Sequence, residues 1–78
     1  MAADNLLSRI EVNQQVMAGK PIIRGLRIAV EHVLRSLAVG MTVEQILENY
    51  PELEVEDIQA CMLYAANLME HEKVYKVA

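Results

Sequence analysis

The chain has one cysteine, Cys61, so no disulfide forms within it. It has two histidines, His32 and His71, each beside a glutamate (Glu31, Glu72) instead of one helical turn from a second ligand. Neighbours in sequence point to different faces of a helix, so surface or capping roles are expected for both, and no metal site. No apolar run approaches the ~20 residues needed to cross a bilayer. Met1 to Arg9 lacks the basic and apolar regions of a signal peptide, and with a lone thiol the expected compartment is the cytoplasm. Gly19-Lys20-Pro21 lacks what a phosphate-binding loop requires. Gln14 stands where its first glycine belongs, and Pro21 where Ser or Thr follows the lysine. Ser8, Ser36 and Thr42 have no triad context, and the carboxylates are spread along helix exteriors. Cys61 lies in an apolar stripe with no base near it, so a buried, inert thiol is expected. With no nucleophile, base, metal cluster or cofactor loop, the expectation is a binding protein without enzymatic activity or cofactor.

What is present is 78 residues, 54% of them hydrophobic. That length is one domain, and it buries only roughly 60–65% of the surface of its unfolded chain. Small domains compensate with disulfides, metals or partner subunits, and here only the last remains, so a homodimer is the simplest expectation. The net charge of −4 is unevenly spread. Residues 1–40 hold five bases (Arg9, Lys20, Arg24, Arg27, Arg35) against three acids, while residues 41–78 hold two bases (Lys73, Lys76) against eight acids. An anionic partner should meet the front half and a basic partner the rear, unless the rear acids are simply a solvated helix surface.

Residues 1–8 read as a tail, 9–73 as a single domain and 74–78 as a second tail. Arg9 to Asn13 alternates polar and apolar, the period of a half-buried strand. After a loop holding Asn13, Gly19 and Pro21, Ile22 to Val30 is β-branched and interrupted by Gly25, which predicts a short strand on either side of that glycine. From Val30 the period becomes helical: Val30, Val33, Leu34, Leu37 and Ala38 share a face, and Gly40 sits where a glycine ends a helix. Thr42 with Gln45 has capping-box spacing, and Val43, Ile46, Leu47 and Tyr50 form the stripe of a second helix stopped by Pro51. A third helix is predicted from about Val55 to Glu70, with Ile58, Cys61, Met62, Ala65, Leu68 and Met69 as its buried face. Glu56 and Asp57 in its first turn suit the helix dipole, as do His71 and Lys73 near its end. The predicted class is mainly α: a short N-terminal β element followed by a three-helix, homeodomain-like helix-turn-helix bundle.

A helix-turn-helix invites a DNA-binding reading. In residues 42–50, Gln45 and Asn49 are of the type that reads adenine edges, but Glu44 and Glu48 share the element and no Lys or Arg does. Phosphate neutralisation supplies much of the affinity for DNA, so that helix is poorly suited to it. The remaining route to DNA is Lys20, Arg24 and Arg27, doubled by a dimer axis.

Val16 to Val33 contains the string Gly19-Lys20-Pro21-Ile22-Ile23-Arg24-Gly25-Leu26-Arg27-Ile28. With Ala38 to Pro51, Val55 to Ile58 and Tyr64-Ala65-Ala66, it closely resembles the domain-of-unknown-function family numbered four hundred and thirty-three, over roughly residues 9–70. Leu26 stands where threonine is common, Ala29 where proline is common, and Glu54 where a threonine caps the third helix. The resemblance implies a homeodomain-like fold and a place in two-gene toxin–antitoxin modules, as a VapB-type antitoxin whose partner is a PIN-like ribonuclease. Such nucleases hold metals with clustered carboxylates, so an inhibitor needs a cation at that pocket. Arg24 and Arg27 beside Gly25, with Lys20, are the expected partner-binding residues, because arginine pairs bidentately with carboxylates and glycine permits close backbone approach. The alternative is that these are solvated charges, or that Arg27 pairs within the fold.

Overall fold

The protein is described by a computed structural model covering the backbone of residues 2–71 and the side chains of residues 5–70. The expectations for the His71 and Lys73 side chains and for the tail 74–78 lie outside the described residues. The elements in chain order are α1 (Ala2–Leu7), β1 (Ile10–Val12), β2 (Pro21–Ile23), α2 (Val30–Ala38), α3 (Val43–Asn49) and α4 (Val55–His71). The structure is therefore mainly helical, with one two-stranded antiparallel sheet near its start, as the sequence predicts.

The first eight residues were expected as a tail, and instead they hold α1, which packs against α4. Six residues are too few to display a period, and an isolated helix that short is unstable in water. Tertiary contact supplies what propensity does not: Leu7 lines an apolar hollow with Tyr64 and Leu68 of α4. Ser8 Oγ donates to the Asn5 carbonyl at 2.6 Å and closes the helix.

β1 and β2 pair with Ile10 opposite Ile23 and Val12 opposite Pro21. Beyond Gly25 the expected second strand shrinks to a single bridge between Ile22 and Ala29. The chain reverses there in a tight turn, with Arg24 at φ 40° and Gly25 at φ 72°. Leu26 N–H donates to the Ile23 carbonyl at 2.7 Å across it. Two successive left-handed residues are what a type I′ turn requires, and glycine fills the second position without a Cβ penalty. In the preceding loop Met17, Ala18 and Gly19 are also left-handed, at φ 51°, 57° and 80°.

The three main helices follow their sequence signals closely. α2 begins at Val30 with Ala29 as an N-cap that offers no side-chain acceptor, and it ends before Gly40, which sits at φ 99°. α3 opens with the expected capping box: Gln45 N–H donates to Thr42 Oγ1 at 3.1 Å, and Thr42 N–H to Gln45 Oε1 at 2.9 Å. Their stripes meet α4 in a core of Ile23, Val30, Val33, Ile46, Leu53, Ile58 and Cys61. Each large aliphatic side chain buried there contributes roughly 1.5–3 kcal/mol. Of the predicted stripe on α4, Ile58 and Cys61 are buried, whereas Met62, Leu68 and Met69 are exposed. Among the described residues, no helix is long and apolar enough to cross a membrane.

Candidate functional site

At the start of α4 the carboxylate of Asp57 is fully buried. Its Oδ1 accepts from Arg24 Nε at 2.8 Å and from Arg9 Nη1 at 3.0 Å. Its Oδ2 accepts from Arg24 Nη2 at 2.7 Å and from the Glu54 backbone N–H at 2.8 Å. Arg24 thus grips Asp57 with two parallel bonds, and its Nη2 also donates to the Glu52 carbonyl at 2.9 Å. Arg9 Nη1 reaches on to Glu54 Oε1 at 2.7 Å. Glu54 gives its side chain to Arg9 and leaves its own N–H to be capped by Asp57.

Burial acts to keep the proton on Asp57, but the Arg24 fork, the Glu54 N–H and Arg9 together outweigh it. The carboxyl is drawn down from 3.8 to about 2. Hydrogen bonding to Glu54 and Asp57 raises Arg9, and hydrogen bonding to Asp57 raises Arg24. This cluster corrects the expectation that Arg24 is free to enter a partner's pocket. Among the described residues it is Arg24, not Arg27, that pairs within the fold. A sequence signal did exist, because an acid three residues into a helix start is the position that caps the first N–H. The arginines it holds lie 48 and 33 residues away, and nothing local announces them.

The other expected residues lie apart from that cluster. Gly25 is exposed, and a Cβ built there would meet nothing within 4 Å, so its backbone is open to approach. Arg27 is exposed, and among the described residues it makes no ion pair. Lys20 Nζ lies 3.2 Å from Glu31 Oε1, and Arg35 Nε lies 3.2 Å from Glu31 Oε2. Lys20 first, and then Arg35, hold the Glu31 carboxyl below its ordinary range. Two cations sharing one carboxylate leave a net positive charge.

These side chains border two adjoining hollows of about 240 Å³ each, which share Met17, Ala29 and His32. Arg27 and Tyr50 line one, and Lys20, Glu31 and Arg35 line the other. Between them His32 Nε2 and Tyr50 Oη are 2.7 Å apart, with the two rings edge to face at 84°. Of the described Lys and Arg residues, Arg9 and Arg24 neutralise Asp57, and the other three all line this groove. Sequence reasoning missed Arg35, His32 and Tyr50 as groove residues, since Arg35 and His32 look like ordinary surface positions of α2 and Tyr50 reads as part of the apolar stripe of α3.

The helix-turn-helix surface is of opposite character. Gln45 is committed to the capping box of α3, so its side-chain oxygen already has a donor. Asn49 is exposed at the end of α3. In a homeodomain-type arrangement the third helix enters the major groove, and here that helix is α4. Neither α3 nor α4 carries a lysine or arginine. Cys61, on the core side of α4, is pushed up to about 12 by burial, with the Asp57 charge adding to the shift. Among the described residues, no group of three His, Cys, Asp or Glu side chains is placed to hold a metal ion.

Comparison with known proteins gives relatives without an assigned role. The chain is 35% identical over 65 residues to the uncharacterized protein y4eO of Sinorhizobium fredii (strain NBRC 101917 / NGR234). That match takes in 80% of this chain but 29% of the relative. It superposes with a TM-score of 0.77 on the crystal structure of a DUF433 member protein from Anabaena variabilis ATCC 29413. The identity is 30%, over 86% of this chain and 66% of that one. The chain therefore spans less than two thirds of either relative. Residues 10–65, from β1 into α4, match the family model described as protein of unknown function (DUF433), and the chain belongs to that family.

Proposed function

We propose that this chain is an antitoxin-like binding protein, working as a homodimer, that sequesters a PIN-like ribonuclease. The observation that carries the reading is the sorting of cations. Three of them gather on one groove, while the two helices that would read DNA have none. A nuclease whose metals are held by clustered carboxylates presents the charge such a groove complements. Arg27 is the residue that enters the pocket in this reading. It is exposed and unpaired among the described residues, and it lies two positions after Gly25, where another backbone has room to approach. Lys20 and Arg35 then act as flanking charges that steer association.

The test is co-expression of the tagged protein with the reading frame beside its gene, followed by purification and an RNA-cleavage assay. Co-purification, with nuclease activity appearing only once this protein is removed, is the expected result. A neighbour that neither binds it nor harms cells when expressed alone removes the antitoxin reading.

A second reading is favoured by the same groove. A dimer doubles Lys20, Arg27 and Arg35, and six such cations suit the phosphates of a duplex bound by a transcription regulator acting on DNA alone. Salt separates the two readings. Binding to duplex DNA through Z phosphates falls with a logarithmic slope of about −0.9Z against salt. Retention on operator DNA at low salt with a steep slope supports the regulator, and a slope near zero removes it.

A further inference from the structure

α4 is the longest helix, and its outward side is apolar where a surface helix is ordinarily polar. At about 100° per residue, Met69, Met62, Val55 and Ala66 fall within an arc of about 60°, far round the helix from the buried Asp57 and bordered on one side by the buried Ile58. Val55 and Met62 are each 44% exposed and Met69 is 59% exposed. Beside this stripe, on one edge only, run the exposed Gln59, Glu70 and Glu56. With the polar Gln59 as its one non-apolar member, the series 55, 59, 62, 66 and 69 alternates steps of four and three, the spacing of a seam that receives another helix. Isolated exposed apolar residues are normal on a monomer, but a continuous stripe along one helix is characteristic of a contact surface. Two methionines in it add unbranched, adaptable side chains of the kind that accept varied helical partners. Ala66, between them, lets a backbone come close.

The charges decide what fits. Glu56 and Glu70 mark the same edge about 21 Å apart along the axis. A second copy of α4 laid antiparallel on the seam would set acid against acid, a parallel one would leave both carboxylate edges without a cation, since α4 carries no lysine or arginine, and a nucleic acid would be repelled outright. An apolar helix edged with lysine or arginine meets both the stripe and the carboxylates. We propose that the outer face of α4 is a docking groove for a basic amphipathic helix of another protein, with Val55, Met62, Ala66 and Met69 receiving its apolar anchors and Glu56 and Glu70 pairing with its cations. The inference does not depend on the ribonuclease reading, because no α4 side chain lines the groove of Arg27.

The test titrates the full chain with a synthetic helix of about 18 residues, five turns, built of leucine and lysine at helical spacing. A leucine–glutamate counterpart is the control, and both are followed by amide NMR shifts near 0.15 M salt. Expected are shifts confined to residues 55–70 with the lysine peptide and none with the glutamate peptide. Met62→Gln with Met69→Gln should weaken binding about tenfold or more, the scale of losing two anchors. Glu56→Gln with Glu70→Gln should weaken it severalfold while leaving the mapped surface the same. All four positions are exposed, so both variants should keep the wild-type circular dichroism spectrum. Shifts mapping elsewhere, equal binding of both peptides, or unchanged affinity in the methionine variant would overturn the proposal. So would a sedimentation measurement in which the methionine pair turns a dimer into single chains, since the occupant would then be a second copy.

Discussion

Asp57 gathers three donor groups from separate parts of the chain, and each would lose a buried acceptor with it. Asp57→Ala leaves Arg9, Arg24 and the Glu54 N–H without their shared partner, and the expected loss is about 3 kcal/mol in urea unfolding. The same residue sets an acid limit. Its folded carboxyl titrates at about 2 against 3.8 unperturbed, so the folded state binds its proton later than the unfolded state does. The stabilisation is fully present above about pH 4 and is lost as pH falls towards 2, amounting to about 2 kcal/mol. Unfolding midpoints measured between pH 5 and pH 2 should fall in the wild type and flatten over that window in Asp57→Asn. A thiol reagent at neutral pH should label Cys61 only after unfolding, since burial holds its proton on. What was legible here in the sequence was Asp57 as a dipole-favoured residue of a first turn. Its arginine partners were not legible, because they are joined to it only by the packing of the hairpin turn on α4.

At the scale of elements, legibility followed punctuation. α2, α3 and α4 begin and end close to where their periods, the Thr42–Gln45 box, Gly40 and Pro51 put them, because each boundary has a local physical cause. Thr42→Ala should therefore cost about 1 kcal/mol, seen as a lower thermal midpoint. α1 escaped notice because its stability comes from α4 and not from its own six residues. Beyond Gly25 the β-branched composition serves a tight turn and one bridge instead of the expected strand. That turn holds a residue at φ 72° with open space around it. Gly25→Ala is thus strained by backbone alone, and a loss of about 1 kcal/mol is expected without any clash. If the same substitution weakens a partner complex by more than its stability loss explains, Gly25 also lies at a contact.

At the scale of the molecule, the surface divides into regions of different chemistry, and the apolar one bears on self-association. A hollow of about 260 Å³ between α1, β1 and α4 is lined by Leu7, Ile10, Val12, Tyr64, Asn67 and Leu68. It adjoins a second of about 220 Å³ bordered by Pro21, Val30 and Leu34, with Tyr64 and Leu68 common to both. Val12 is 57% exposed and Leu68 53%. Among the described residues lining these two hollows only Glu31, at the margin of the second, is charged, so on those residues two copies can meet without setting carboxylate against carboxylate. If the proposed dimer forms on this face, Leu68→Glu places an unpaired carboxylate in the contact and opposes it. Sedimentation equilibrium should then give two chains for the wild type at about 100 µM and one for Leu68→Glu. The thermal midpoint should depend on protein concentration only in the wild type. Arg27→Ala, on the basic groove, should leave both measurements unchanged while weakening the anionic partner. A wild type that sediments as a single chain at that concentration would remove the dimer, and the groove's three cations would then have to act undoubled.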